Sequence, residues 1–406
     1  MDSVRLYVAA RVWWSIAWAM ATTMSLVYMV QDAGLDPLQM VLIGTALELS
    51  VFLFEIPTGV VADLVSRRLS VIIGHAGVGV GLFVMALVPE FWAILAANVF
   101  WGISYTFISG AYPAWLSGEV GKERAGKAFI RGSQLGHAGA FIGIGAAVAL
   151  AHQAVWLPVA VGGGGIAALS LVLAFGMQEK NFEPSPHRTW QKFGSTLVEG
   201  VNHVRARPVL LLVLATTAVY GLFSEGIDRL FTPLVLENFS LPPLGPLDGV
   251  AWWGVIAAVA HVIGMAGLAV ARRRVKVADA RQLTRVTSWA LVVVTVMTLA
   301  LAASQALWLA LACYWVIQGA RSIYGPLLTA WLNQLLPEEG KATLFSIYGQ
   351  ADALGQVAGG PMIGAVARAW TISLGLAVSA VLLAPGSWLL RKAARALHAE
   401  QHQPTS

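Results

Sequence analysis

The sequence is a series of apolar segments of about 20 residues separated by short polar stretches, and this pattern limits the possible folds most strongly. A helix of about 20 apolar residues spans the hydrocarbon core of a bilayer. Of the 406 residues, 57% are hydrophobic and only 12% are charged, whereas soluble domains carry roughly 25% charged residues. The sequence therefore predicts an all-α polytopic membrane protein.

Twelve segments are long enough to cross a membrane. They lie near 5–31, 38–63, 69–88, 91–117, 127–151, 155–176, 208–237, 249–271, 284–303, 306–335, 342–367 and 370–391. A polar stretch separates two sets of six, which predicts an N-terminal bundle (1–176), a central loop (177–207) and a C-terminal bundle with a tail (208–406). Apolar residues recur at helical spacing within the loop. They predict an amphipathic helix on the membrane surface, with a plain linker as the alternative.

The basic residues fix the expected orientation. Most of the 26 Lys and Arg residues fall in alternate loops, as in the run Arg272–Arg274, when both termini are placed in the cytosol. The net charge of +5 is therefore a topology signal rather than a nucleic-acid footprint. We expect a monomeric protein of a bacterial inner membrane, in contact with lipid.

The two halves share sequence. "AWLSGEVGKERAGKAFIRGSQ" begins at residue 114 and "AWLNQLLPEEGKATLFSIYGQ" begins at residue 330. The match predicts a parallel duplication of a six-span unit, a type of repeat that transporters use for alternating access.

The loop after the second span, "GVVADLVSRRLSVIIG", resembles the signature loop of the major facilitator superfamily. Its Gly59, Asp63, Arg67 and Arg68 stand at the positions of the family's glycine, acid and basic cluster. The resemblance implies two six-helix bundles, secondary transport by alternating access, and a conformational latch made by these four residues. It also implies that spans 1, 4, 7 and 10 line a central cavity.

Charged residues inside predicted spans are candidates for function, because each costs roughly 2.5–3.5 kcal/mol on insertion scales. Depth along the spans predicts two pairs, Arg11 with Glu55 and Arg321 with Asp352. The alternative for each pair is a purely structural role. Glu48 has no partner at its depth, which makes it a candidate for protonation.

The seventh span contains three charged residues on one face of a helix, Glu225, Asp228 and Arg229. Glu225 and Arg229 are four residues apart and are expected to pair along the helix, which leaves Asp228 free for a proton or a cation. Two nearby acids repel when both are ionised. A group that binds either a proton or a cationic substrate couples the two by exclusion. A salt-bridge cluster that only stabilises the span is the alternative.

The resemblance also predicts the residues that line the cavity. They are Trp14, Trp18, Asn98, Trp101, Tyr105, Tyr220, Tyr314, Trp315 and Gln318. A lining rich in aromatic residues favours lipophilic ligands and, through cation–π contacts, cations.

Two glycine patterns have alternative explanations. Gly132, Gly136, Gly139 and Gly143 occupy one face of the fifth span, and Gly360-Pro361 lies in the eleventh. They resemble an antiporter motif of the family, or they allow close packing of helices.

Other functions are not favoured by the sequence. "GKERAGKA" (121–128) has the spacing of a phosphate-binding loop but has Ala128 where Mg²⁺ needs Ser or Thr, which excludes an ATPase. No metal, cofactor or catalytic motif is predicted. We expect proton-coupled multidrug efflux of amphipathic or cationic compounds, as in the drug-efflux antiporters that the chain resembles. A metabolite importer, a lipid exporter and a receptor or scaffold without transport are the alternatives.

Overall fold

The computed structural model describes residues 2–182, 190–244, 249–276, 279–336 and 341–401. Residues 183–189 of the predicted central loop and 402–406 of the predicted tail lie outside these ranges. The described residues form fourteen helices: α1 (Ser3–Gln31), α2 (Pro37–Leu64), α3 (Arg67–Leu87), α4 (Phe91–Ser109), α5 (Ala111–Val120), α6 (Lys122–Ala151), α7 (Leu157–Gly176), α8 (Trp190–Ala206), α9 (Pro208–Asn238), α10 (Val250–Arg274), α11 (Ala280–Ala302), α12 (Leu307–Leu335), α13 (Lys341–Ala369) and α14 (Ile372–Gln401). The all-α fold class is confirmed.

Polar residues at the helix starts explain several of these boundaries. Asp36 accepts a hydrogen bond from the Gln39 backbone N–H, and the Gln39 side chain accepts one from the Asp36 backbone N–H, both at 3.0 Å. This capping box satisfies two backbone donors at the start of α2. The Asp279 side chain caps α11 in a similar way, by accepting from the backbone N–H groups of Arg281 and Gln282.

The predicted fourth span is two helices rather than one. α4 ends at Ser109 and α5 begins at Ala111, with Gly110 between them. Pro113 has no backbone N–H to donate to the carbonyl four residues earlier, and its ring crowds that carbonyl, so the helix is interrupted there. The other predicted spans match single helices to within a few residues at most ends.

Within the described ranges, nine helices are long and apolar enough to cross a membrane by length and composition, with α4 and α5 counted as one. Three predicted spans are not among the nine. These are α1, α12 and α13, each 29 residues long but less apolar. They contain the charged residues Arg11, Arg321 and Asp352.

Two compact units form, and neither is continuous in sequence. Unit 1 comprises Met1–Gln39, Ala46–Trp190 and Leu241–Ala258, and unit 2 comprises Met40–Thr45, Gln191–Ser240 and Val259–Ser406. In unit 1, α1 packs on α6 and α7, and α3 packs on α4 and α7. In unit 2, α9 packs on α13 and α14, and α11 packs on α12 and α14. The first helix of each unit, α1 or α9, thus packs on the two helices that correspond in chain order, and so does the third, α3 or α11. This correspondence agrees with the predicted duplication.

The glycine face of the fifth span is a packing surface. Its four glycines, Gly132, Gly136, Gly139 and Gly143, lie against α1. A Cβ atom on Gly139 would lie 3.0 Å from the Val12 carbonyl oxygen, and one on Gly143 would clash with the Ile16 carbonyl. In unit 2, Gly355 and Gly359 lie against the backbone of α9 in the same way. Close helix packing therefore accounts for the glycines of the fifth span, and the predicted Gly360 lies against the side chains of Thr45 and Val41 of α2.

The predicted amphipathic segment is helical, as α8. Val204 is buried, and a Cβ atom on Gly200 would lie 2.8 Å from the Ile347 side chain of α13. The plain-linker alternative is therefore wrong for residues 190–206.

Candidate transport site

The main charged site of unit 2 joins α9 to α12. Two nitrogens of the Arg321 guanidinium donate to the two carboxylate oxygens of Asp228, at 2.5 and 2.7 Å. The Arg321 Nε also donates to the Tyr220 hydroxyl at 2.9 Å. The Arg321 side chain is only 16% exposed, whereas that of Asp228 is 41% exposed. The carboxylate is therefore held by a planar two-point contact while it stays accessible.

This arrangement corrects two sequence predictions. Arg321 pairs with Asp228 instead of Asp352, and Asp228 is therefore not free. The Asp352 Oδ2 accepts a hydrogen bond from the Gln356 Nε2 at 2.9 Å, although the charge of Arg321 still acts on Asp352. Equal depth along two helices does not establish that their side chains face each other.

The other charged residues of the seventh span pair as their spacing predicts. The Arg229 Nε lies 3.3 Å from the Glu225 Oε2, and the Glu225 side chain is 4% exposed. A Cβ atom on Gly44, in the α2 segment that belongs to unit 2, would clash with both side chains. The pair is thus enclosed, unlike the accessible Asp228.

In unit 1, the predicted pair of Arg11 and Glu55 does not form. The Glu55 Oε1 accepts a hydrogen bond from the Ser109 Oγ at 2.8 Å. Arg11 instead lies beside Tyr7, since a Cβ atom on Gly132 would lie 3.4 Å from the Arg11 Cγ and 3.2 Å from the Tyr7 ring. Ser109 is the last residue of α4, at the break before α5, and no pattern in the sequence predicts that it lies near Glu55.

Arg11 lies beside a chain of aromatic rings. We use the name aromatic chain for Tyr7, Tyr112, His75, Trp14, Trp18 and Trp101, whose successive ring centroids are 4.9–5.5 Å apart. Three of its members, with Arg11, occupy one face of α1. His75 was not a predicted site residue, because its aromatic neighbours come from other helices.

Several predicted cavity residues lie in protein packing. Asn98 is 1% exposed, and its Nδ2 donates to the Ile94 carbonyl oxygen at 2.9 Å. It is buried beside Met85 of α3, so the predicted cavity-lining position is wrong. Tyr105 is exposed, and Trp101 is half-buried against Trp18.

The aromatic residues predicted on α9 and α12 pair with other rings or polar side chains. Tyr220 stacks on Tyr324 with ring centroids 4.5 Å apart, and Tyr314 stacks on Phe231. Gln318 forms a hydrogen bond with Tyr314. Two further predicted residues, Trp315 and Glu48, also interact within the fold, so the expectation that Glu48 has no partner is wrong.

The signature loop forms part of the predicted latch. The Arg67 side chain reaches the Asp63 carboxylate at 3.2 Å. The Arg68 guanidinium donates to the Ala174 carbonyl oxygen of α7. Gly59 faces open space, since a Cβ atom there would meet nothing within 4 Å. The role of these residues as a latch stays a prediction.

Glu179, which was not among the predicted site residues, caps α3. Its Oε1 accepts hydrogen bonds from the backbone N–H groups of Arg67 at 2.8 Å and Arg68 at 3.1 Å, and its Oε2 accepts one from the Ser66 hydroxyl. A carboxylate at a helix N-terminus satisfies unpaired donors and interacts favourably with the helix dipole. Glu179 lies 112 residues from Arg67 along the chain, so local sequence gave no signal.

An apolar groove of about 890 Å³ lies among α1, α6 and α7. It exposes the opposite face of α1 from Arg11, and its charged residues are Arg5 and Arg131. We place no substrate there, because the groove contains no carboxylate and none of the paired charges described above.

The long apolar helices and their repeated packing define a polytopic membrane protein. Residues 14–314 match the Major Facilitator Superfamily profile, and the chain belongs to this family. An uncharacterized MFS-type transporter of Bacillus subtilis (strain 168), YxaM, is 24% identical over 365 residues, which cover 86% of this chain and 85% of YxaM.

Solved structures share the fold. The nucleoside transporter NupG has a TM-score of 0.77 at 13% identity, with 97% of this chain and 100% of that chain covered. A bacterial homolog of the human lysosomal transporter Spinster also has a TM-score of 0.77 at 13% identity, with all of both chains covered. A peptide transporter POT has a TM-score of 0.73 at 12% identity, with coverage of 97% and 94%. At these identities the similarity establishes the fold alone.

Proposed function

We propose that this secondary transporter exports amphipathic small molecules, including cations, in exchange for protons. The proposal includes alternating access by a monomer in a bacterial inner membrane, with both termini in the cytosol. The observation that carries it is the accessible carboxylate of Asp228 in its two-point contact with the enclosed Arg321.

The Asp228–Arg321 pair supports proton coupling because its interactions depend on protonation. A proton on Asp228 removes the negative charge that holds Arg321 and frees the guanidinium to find another acceptor. In this proposal Asp352 of α13 is that acceptor, because α13 packs on α9. A proton therefore changes which residues of α9, α12 and α13 are held together.

Exchange follows if proton and substrate compete for the same carboxylate. In this proposal a cationic or hydrogen-bonding substrate takes the place of Arg321 at Asp228, as a proton does, so the two ligands exclude each other. With a proton gradient directed inward, such exclusion drives the substrate outward. The half-buried rings of Tyr220 and Tyr314, of which Tyr220 binds Arg321, offer apolar surface near the charges, which supports an amphipathic substrate.

The test is substrate-driven proton flux in proteoliposomes that contain the purified protein, a trapped pH dye and trapped DNA. Ethidium is the probe, because its fluorescence rises when it reaches the DNA. Ethidium entry is expected to move protons in the opposite direction with wild type, and Asp228→Asn is expected to abolish both signals. Glu237→Gln, an exposed acid on the same helix, is the matched control and should behave as wild type.

Three results would contradict the proposal. Ethidium entry without proton movement excludes proton exchange, and normal flux with Asp228→Asn assigns the ion pair to stability alone. A wild-type protein that moves no ethidium contradicts the export of cations.

A further inference from the structure

A basic cavity of about 320 Å³ lies between the start of α11 and the end of α14, which pack on each other in unit 2. We use the name arginine cavity for it. Each helix contributes two arginines to the lining, Arg281 and Arg285 from α11 and Arg391 and Arg395 from α14. Among the residues that the structure describes, no acid lines this cavity.

Neighbouring acids do not neutralise these arginines. Residues 279–302 and 372–401, which include both helices and the cap of α11, contain one acid each, Asp279 and Glu400. Asp279 accepts hydrogen bonds from backbone N–H groups of α11, and Glu400 pairs with Arg207 at 3.0 Å. In the described part of the chain, no ion pair involves any of the four arginines. Like charges around one small cavity repel one another, so an anion placed there is attracted by all four.

Two contacts between the helices hold arginines at the cavity. The Arg281 Nε donates to the His398 Nε2 at 2.5 Å, and the Arg391 guanidinium lies 6.0 Å from the centre of the Trp289 ring. The first contact uses one of the five N–H donors of a guanidinium, and the second is a cation–π contact that requires none. The remaining donors form planar forks that fit two oxygens of a phosphate.

A buried serine in the lining has a hydroxyl without a partner. Ser288 is 3% exposed, and no described residue forms a hydrogen bond with its Oγ. Thr284, one turn earlier in the same lining, instead donates to the Ala280 carbonyl oxygen at 2.9 Å. Because a buried polar group without a hydrogen bond is unfavourable, the Ser288 hydroxyl is suited to donate to an anion in the cavity.

Exposed apolar residues continue from the cavity along both helices. They are Trp289, Val296 and Leu299 on α11, and Trp388 and Val381 on α14. Spacings of three, four or seven residues place them on the same face as the arginines of their own helix. Positive charge, indole and aliphatic side chain follow one another along this face, in the order of phosphate, interface and acyl chain in a lipid leaflet. A free phosphate ion would use the arginines but not the apolar residues.

We propose that the arginine cavity binds the phosphate of an anionic phospholipid. The phosphate oxygens accept hydrogen bonds from the arginines and from Ser288, and the acyl chains lie along the exposed apolar residues of α11 and α14. Basic pockets between membrane-spanning helices bind anionic headgroups in this way. A zwitterionic headgroup is disfavoured, because its ammonium group would add a positive charge beside four others. The site shares no residue with the pair Asp228–Arg321, so the inference goes beyond the proposed function.

The test is native mass spectrometry of the purified full-length protein, delipidated in a neutral detergent and titrated with lipid. The ligands are phosphatidylglycerol and phosphatidylcholine with the same acyl chains, and inorganic phosphate is the competitor. The double variant Arg285→Gln with Arg391→Gln alters the cavity. The matched control, Arg272→Gln with Arg273→Gln, removes the same charge from exposed arginines of α10. Ser288→Ala removes only the hydroxyl, and thermal unfolding establishes that each variant is folded.

Wild type is expected to bind phosphatidylglycerol about tenfold more tightly, or better, than phosphatidylcholine, since hydrogen bonds to charged groups are the stronger ones. The cavity variant should lose this preference, and the control should keep it. Ser288→Ala should weaken phosphatidylglycerol severalfold without lowering the unfolding temperature of the lipid-free protein, because the hydroxyl has no partner within the described fold. Inorganic phosphate at millimolar concentration should not displace the lipid.

The proposal is overturned if wild type does not prefer phosphatidylglycerol, or if both double variants weaken it equally, as general surface charge predicts. Displacement of the lipid by millimolar inorganic phosphate also overturns it and assigns the cavity to a water-soluble phosphate. If the cavity variant fails to fold, Ser288→Ala decides, and unchanged affinity for phosphatidylglycerol then contradicts the proposal. Lipid binding requires neither ethidium nor a proton gradient, so failure here is distinct from failure of proton exchange at Asp228.

Discussion

At the scale of single residues, ion pairs within one helix were predictable and pairs between helices were not. Glu225 and Arg229 pair at 3.3 Å because a spacing of four residues fixes both their height and their direction around the helix axis. For Arg321 the sequence supplied only the height. Asp228 and Asp352 both lie at a suitable depth in the membrane. Which of them pairs with Arg321 depends on the direction of each side chain, which packing sets, and the partner is Asp228.

Glu179 provides a prediction at this scale. Glu179→Gln keeps the size of the side chain but removes the charge that accepts the backbone N–H groups of Arg67 and Arg68. The loss of a helix cap costs about 1 kcal/mol, so we expect the variant in detergent to unfold at a lower temperature than wild type. Glu199→Gln, an exposed acid on α8, is the control and should leave the midpoint unchanged. Equal midpoints for both variants would show that Glu179 does not stabilise α3.

At the scale of the helices, apolar length predicted most boundaries because the bilayer requires about 20 residues whatever the neighbours are. The break at Gly110 was missed. An apolar run of 27 residues, 91–117, contains it, and hydropathy does not register the missing N–H of Pro113. The glycine face of α6 was visible in the sequence, but its role depends on the approach of α1, which no pattern within α6 records.

Packing between α1 and α6 gives the second prediction. Gly143→Leu introduces a side chain where even a Cβ atom would clash with the Ile16 carbonyl, and overpacking typically costs about 1–3 kcal/mol. We expect a lower yield of folded protein and a lower unfolding temperature. Gly145 lies on the same helix with nothing within 4 Å of a Cβ atom, so Gly145→Leu should be tolerated. If the two variants are equally stable, α1 and α6 are not closely packed at Gly143.

At the scale of the whole molecule, the predicted two sets of six spans would place both chain ends on one side of the membrane. The predicted count of twelve spans is the sum of the nine helices that are apolar enough to cross a membrane and of α1, α12 and α13, which are less apolar. The prediction of orientation came from the distribution of Lys and Arg, and the duplicated packing of the two units agrees with the count of six in each half.

Reporter fusions test this topology. A fluorescent protein that folds only in the cytosol is expected to fluoresce when fused to either terminus, and alkaline phosphatase is expected to be inactive there. Phosphatase inserted near Ala154, between α6 and α7, should be active. Activity of the phosphatase at one terminus alone would require an odd number of spans.

The stacked indoles of Trp14 and Trp18 have a consequence for spectroscopy. Rings held nearly parallel with centroids 5.5 Å apart exchange excitation energy readily, so light absorbed by one is shared with the other. The emission and ultraviolet circular dichroism of this pair depend on their spacing and on what touches their faces. The fluorescence of this pair therefore reports on the surroundings of Arg11 without an added dye. Substitution of Trp14 or Trp18 identifies the contribution of the pair to the fluorescence of the 16 tryptophans of the chain.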